Sequence, residues 1–260
     1  MNKRKLIQTI IGLLLAACGL TAVLITRADA ISEGADLSDK AIFAVGLIAT
    51  VVGLIVLIAG LLPQRKPIGI RTLTMAAMFA ALCYVGFAFF QIKIPVGDSA
   101  TSFHLGNVFC VLAALCIGGL WGGLAGSIGM TIGDLFDPVY ITSAPKTFVL
   151  KLGIGLITGL VAHKIFKLSQ DPEKKRRVPL PVATVISCGT GMLFNIVADP
   201  VVGYFYKMYV MGIPQDAATI LAKMSAVTTS VNAVIAVIAA TVFYLALRPA
   251  LKKANLLPKL

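Results

Sequence analysis

Residues 104–136 read HLGNVFCVLAALCIGGLWGGLAGSIGMTIGDLF. No charged side chain lies between His104 and Asp134, and the only interruption is the glycine cluster GGLWGG at 118–123. A helix that crosses a bilayer needs about 20 predominantly apolar residues. The stretch therefore reads as two apolar segments, 104–121 and 122–136, folded back at a tight glycine turn. Spacings of four place Gly119 with Gly123, Gly122 with Gly126, and Gly129 with Gly133 on shared helix faces. Small residues at that spacing let helix backbones approach closely, the usual route to packing where lipid supplies no hydrophobic drive.

The rest of the chain extends this pattern. Of its 260 residues 58% are hydrophobic and 13% charged, with a mean hydropathy of +0.93. A soluble domain carries about a quarter of its residues as charges. The apolar runs lack the period-two alternation of barrel strands. The fold class is an all-α membrane protein, with eight apolar segments near 6–26, 41–62, 72–91, 104–121, 122–136, 147–163, 180–199 and 221–247.

The net charge of +12 is distributed in short clusters between these runs. Lys3–Lys5, PQRKPIGIR (63–71), HKIFKLSQDPEKKRRVP (163–179) and the tail RPALKKANLLPKL (248–260) are basic; the intervening loops are acidic, near neutral or balanced. That alternation is the positive-inside pattern, and it puts both termini in the cytoplasm of a multi-pass cell-membrane protein. It argues against nucleic acid as a partner. Cys18, Cys83, Cys110, Cys116 and Cys188 all fall in apolar runs without a C-x-x-C pair, and read as reduced, buried packing residues. The start of the chain also has the layout of a signal peptide ending at Ala28 and Ala30, and LAAC (15–18) resembles a lipoprotein box. Because the apolar run continues well past Cys18, a retained helix is expected. Pro63–Arg71 divides an N-terminal helix pair, residues 1–66, from a six-helix core, residues 67–260.

The break TIGDLFDPVYITSAPKTFVLK (131–151) faces outside in this topology. Asp134 lies in the last turn of one segment and Lys151 about one turn into the next. Ionisable groups inside membrane segments face a partner or a cavity, so these two read either as a helix-joining ion pair or as a ligand wall. Asp137 and Lys146 are shallower, and solvated loop charge is the simpler expectation for them. Asn195 and Asp199 share a helix face, with Pro200 expected to end the helix just after them. Tyr204, Phe205, Tyr206 and Tyr209 suit an aromatic belt or stacking on a flat ligand. His104 and Asn107 open another segment from the same side, and Asn232 lies deeper, where its amide needs a partner. His163 reads as interfacial at the opposite end. Candidate substrate-binding residues are thus His104, Asn107, Asp134, Lys146, Lys151, Asn195, Asp199, Tyr204 and Asn232. Ala76/Ala80 and Ala77/Ala81 form a small-residue face, for packing within the bundle or for docking a membrane partner.

No Walker A pattern, H-E-x-x-H or G-x-S-x-G occurs, and the two histidines lie at opposite faces. Neither a catalytic centre nor a metal or cofactor site is expected. No chain of buried carboxylates crosses the membrane as in a proton-driven pump. The polar groups gather at one face, as for capture from outside with the driving force supplied elsewhere. A stand-alone secondary transporter of a small polar solute and a membrane-embedded enzyme or scaffold are the rival classes.

The stretch from His104 to Phe136, followed by APKTFVLKLGIGLITGLVAH (144–163), resembles the substrate-binding S component of energy-coupling factor (ECF) vitamin transporters, in particular the riboflavin-transporter-like branch. The alanines at 76, 77, 80 and 81 resemble that family's small-residue motif on the first core helix. The likeness covers roughly residues 70–250. It implies a six-helix core that captures a vitamin or vitamin precursor, and a partner assembly of one transmembrane coupling subunit and two cytoplasmic ATPases. The N-terminal pair at 6–62 departs from the six-helix pattern.

Overall fold

The computed structural model describes residues 10–22, the positions 42, 46, 49 and 53, and residues 69–97, 99–169, 178–254 and 256. They fall into two compact units, Met1–Ile68 with Phe205–Ala218, and Gly69–Tyr204 with Thr219–Leu260. In the first, α1 (Ile10–Ala22) is a short apolar helix, and Gly53 sits against its backbone at Gly12 and Ala16. The expected segment 41–62 lies outside the described residues apart from the four single positions. So do Lys3–Lys5, the loop 27–40 with the possible cleavage site, Pro63–Ile68 and the basic run 170–177. Cys18 corrects one expectation: it is exposed on α1, whereas Cys83, Cys110, Cys116 and Cys188 are buried and free.

Six helices follow Gly69 among the described residues: α2 (Ile70–Ala88), α3 (Gly106–Ile117), α4 (Gly119–Leu135), α5 (Ala144–Gly159), α6 (Leu180–Tyr209) and α7 (Gln215–Lys253). A 3-10 turn, Ile141–Ser143, leads into α5, and a π-helical turn, Leu160–Ile165, continues it. Among the described residues, four helical stretches are long and apolar enough to cross a membrane: Ile70–Ala88, Ile141–Ile165, Leu180–Tyr209 and Gln215–Lys253. At 12 residues, α3 is only about 18 Å long, shorter than a hydrocarbon layer of about 30 Å. All but one of its residues are buried. A helix that is apolar all round belongs inside a bundle, and α2, α4 and α5 enclose this one.

The glycines of α4 explain how that enclosure closes. The turn before α4 is Gly118 alone, at φ +90, a conformation that glycine adopts without a Cβ penalty. The expected turn over 118–123 is thus narrower, and Gly119, Gly122 and Gly123 are helical. A Cβ on Gly119 or Gly123 would meet the α5 backbone at Gly155 and Leu152. One on Gly122 or Gly126 would meet Ala114 or Cys110 of α3, and one on Gly129 or Gly133 would meet Ala80 or Phe87 of α2. Each predicted pair therefore faces a different neighbour, and α4 contacts three helices at backbone distance.

Two elements differ from the sequence reading. Residues 92–103, expected as a loop, form the hairpin of β1 (Gln91–Val96) and β2 (Ser99–His104), antiparallel from Gln91↔His104 to Val96↔Ser99. Gly97, at φ +59, makes its turn. Helix α6 was expected to end at Pro200 but runs on to Tyr209 with Pro200 inside it. Proline removes one backbone bond, and in a membrane bundle neighbouring helices compensate for such breaks; Asp199, just before it, is held from two sides. His163, expected at the interface, has its side chain buried within the bundle, hydrogen-bonded to Ser169 at 2.6 Å and to the Ala114 carbonyl at 3.0 Å.

Candidate functional site

The hairpin end of the larger unit collects nearly all of the predicted polar residues. Pro145 occupies the first turn of α5, where its missing N–H is no loss, and Lys146 follows it. The Lys146 ammonium donates to Asp199 Oδ1 at 2.9 Å. Asp199 Oδ2 accepts from the hydroxyls of Ser225 and Thr229, one turn apart on α7. One carboxylate thus ties α5, α6 and α7 together. With side chains only 11% and 16% exposed, this pair corrects the expectation of a solvated Lys146. The α5 start buries the lysine against α6, 53 positions away in the chain.

Asp137 is corrected in the same way. It is 8% exposed, pairs with Lys93 of β1 at 2.6 Å, and accepts the Val139 N–H in an Asx turn. Lys93 also lies 5.8 Å from the centre of the Tyr140 ring, a cation–π distance. The hairpin is thereby latched to the segment between α4 and α5.

From α7, Thr228 and Thr101 of β2 share a hydrogen bond of 2.6 Å. One turn further, the Asn232 amide accepts the His104 N–H at 3.1 Å and donates to the Ser102 carbonyl at 3.0 Å. The His104 ring packs edge-on to Phe87 at 5.0 Å. Burial first, and then the nearby Lys151 ammonium, push its pKa down to about 3, so the imidazole is neutral across the physiological range. Burial likewise raises the Tyr140 phenol.

Enclosed by these contacts is a set of buried polar atoms without partners. Asn107 Oδ1, Asn195 Oδ1, Asp134 Oδ2 and His104 Nδ1 make no hydrogen bond. The Lys151 side chain is on a residue only 7% exposed, and no ion pair or hydrogen bond engages its ammonium. The Asp134–Lys151 ion pair that sequence spacing allowed does not form. Buried polar groups are overwhelmingly hydrogen-bonded in folded proteins. Four exceptions at one end of the bundle, contributed by β2, α3, α4 and α6, with Lys151 of α5 near them, make an arrangement able to engage a polar molecule. Tyr204 is half-buried five positions beyond Asp199 on α6.

Lys93, Tyr140, Ser225 and Thr229 were not singled out from sequence. Lys93 carried one available signal, its place in the alternating stretch QIKIPV. The hydroxyls on α7 carried none, because serine and threonine are ordinary in membrane helices. On the outside of the bundle, Ala76, Ala77, Ala80 and Ala81 line an apolar groove between α2 and α4, together with Leu73 and Ile128. Ala76 is buried and Ala80 half-buried against Gly129, whereas Ala77 and Ala81 are exposed.

A bundle of apolar helices with a buried polar cluster at one end is the architecture expected of a membrane-embedded, substrate-binding transport protein. A family model of the ECF-type riboflavin transporter, S component, matches residues 68–249. The chain belongs to that family and is a substrate-binding transporter subunit, a class of protein that is not enzymatic. Neither the curated proteins nor the solved structures searched contain a match.

Proposed function

We propose that the chain captures a vitamin or vitamin precursor from outside the cell and releases it inward with a separate ECF coupling subunit and two cytoplasmic ATPases. The observation that carries this reading is the set of buried atoms without partners on Asn107, Asp134, Asn195 and His104, with buried Lys151 near them, at one end of the bundle. Such a lining needs a ligand with donors for the amide and carboxylate oxygens and an acceptor for the ammonium. Lys146 and Asp199 form the structural frame beside it, and Tyr204 follows Asp199 on α6. In this account the protein is a plasma-membrane protein of eight spans, with both termini cytoplasmic, in which residues 67–260 form the six-helix core and residues 1–66 an added pair. The hairpin end is taken as outside, because the helix ends that adjoin the basic runs of the sequence, Ile70, Ile165 and Lys253, are those away from the hairpin. The coupling subunit docks along the groove marked by Ala76, Ala77, Ala80 and Ala81.

Uptake of labelled riboflavin into proteoliposomes tests the division of labour. Uptake should require the coupling subunit, both ATPases and ATP inside the cytoplasmic compartment. Uptake by the chain alone, driven by an ion gradient, would instead make it a secondary transporter.

A further inference from the structure

In the β1–β2 hairpin, only one edge of β2 is used by β1. The register pairs Ile92 with Phe103 and Gln91 with His104, and neighbouring residues on a strand direct their backbone groups to opposite edges. The Ser102 carbonyl and the His104 N–H therefore share an edge, and both are taken by the Asn232 side chain at 3.0 and 3.1 Å. A primary amide offers one acceptor and two donors. Placed here, it imitates the peptide of a third strand and caps an edge that would otherwise carry unpaired groups in a buried place. Asn232 is 3% exposed, and Thr228, one turn before it, holds Thr101 of the same strand. Helix α7 thus grips β2 at two successive points. On the far side of the strand end, the Leu105 N–H donates to the Gly86 carbonyl of α2. These restraints bracket His104, whose ring rests on Phe87 and whose Nδ1 is one of the unpaired atoms of the cluster.

We infer that Asn232 is a positioning residue: it acts on the ligand site through β2, by fixing the backbone on both sides of Phe103 so that His104 presents its ring to the cluster. This inference rests on the proposed binding site, but the amide clamp itself can be tested without any ligand. It also reassigns Asn232 from a direct substrate contact, since the amide oxygen and one amide hydrogen are already committed to the strand.

The test uses the full chain in nanodiscs, with hydrogen exchange read at residue resolution and riboflavin as the binding probe. Asn232→Leu removes both bonds at similar volume; the His104 amide should then exchange at least about tenfold faster, because the hydrogen bond that protects it is lost. Asn232→Asp keeps the acceptor facing the His104 N–H, so it should retain that protection, while losing the donor to Ser102. Riboflavin affinity should fall about tenfold in the leucine variant and less in the aspartate one. Unchanged His104 exchange in Asn232→Leu overturns the clamp. If that variant does not fold, unprotected His104 exchange in Asn232→Asp overturns it. Faster exchange with unaltered affinity, alongside lost affinity in Asn195→Leu, rejects the positioning role and leaves the binding site standing. Unaltered affinity in Asn195→Leu and Lys151→Met, with His104 exchange behaving as expected, rejects the binding site and not the clamp.

Discussion

Two lysines five positions apart on α5 should behave in opposite ways when each is replaced by methionine. Lys146 is paired with Asp199, which also holds Ser225 and Thr229. Lys146→Met leaves that buried carboxylate without its counter-charge, a change that costs about 3–5 kcal/mol for a buried pair. The two hydroxyl donors remain, so the lower part of that range is expected. In a domain of this size about 3 kcal/mol corresponds to a melting temperature lower by on the order of 10 °C. Lys151 has no such direct partner among the described residues, and its burial carries a desolvation penalty that no ion pair at contact distance offsets. Lys151→Met should therefore leave thermal stability unchanged or raise it. The ligand, by contrast, loses a charge-assisted hydrogen bond worth about 1.5–3 kcal/mol, or roughly 10- to 150-fold in affinity. The assay is a thermal melt of the ligand-free protein beside a riboflavin titration of the same preparations. A large loss of stability in Lys151→Met with affinity retained would refute the reasoning and make Lys151 architectural.

Further outcomes follow from packing, exposure and charge. Gly122→Leu drives a side chain into the α3 backbone at Ala114, and should destabilise the bundle by at least the about 1–3 kcal/mol of ordinary overpacking, read by thermal melt. Ala77→Trp or Ala81→Trp, both on the exposed side of the groove, should block co-purification with the coupling subunit while sparing riboflavin binding; Ala80→Trp should instead disturb the α2–α4 contact at Gly129 and lower stability. His104 has a folded-state pKa far below the ordinary 6.5, so its contribution is complete above about pH 6.5 and declines as pH falls toward 3. His104→Gln should flatten the acid limb of a stability–pH curve over that window. Cysteines placed at Phe136 and Lys167, both exposed, should react with an impermeant reagent from outside and inside respectively.

The helices and their contacts were legible because they depend on local composition. The glycine spacing of residues 119–133 specified close-packed faces, and the structure assigns one face to each of three neighbours. The hairpin was readable in principle, since Ile92, Ile94 and Val96 alternate before the turn at Gly97, but a short strand is a faint signal beside long apolar runs. The extent of α6 was hidden by Pro200, whose local bias against helix is overridden by the packing of its neighbours. Depth along a helix placed Asp134, Lys151, Asn195 and Asn232 toward one end of their segments. Depth did not determine who pairs with whom: Lys146 meets Asp199 and Lys93 meets Asp137 through tertiary geometry that no local spacing encodes. The same geometry leaves Asp134 and Lys151 apart.

The most direct test of the central claim is mass spectrometry of the gently extracted full chain, with release and identification of whatever small molecule travels with it. The account predicts one vitamin-like molecule per chain in the natural protein, with both hydrogen-bond donors and acceptors, and its loss from Lys151→Met and Asn195→Leu preparations that melt as folded protein. The same molecule retained at the same occupancy in both variants would contradict it.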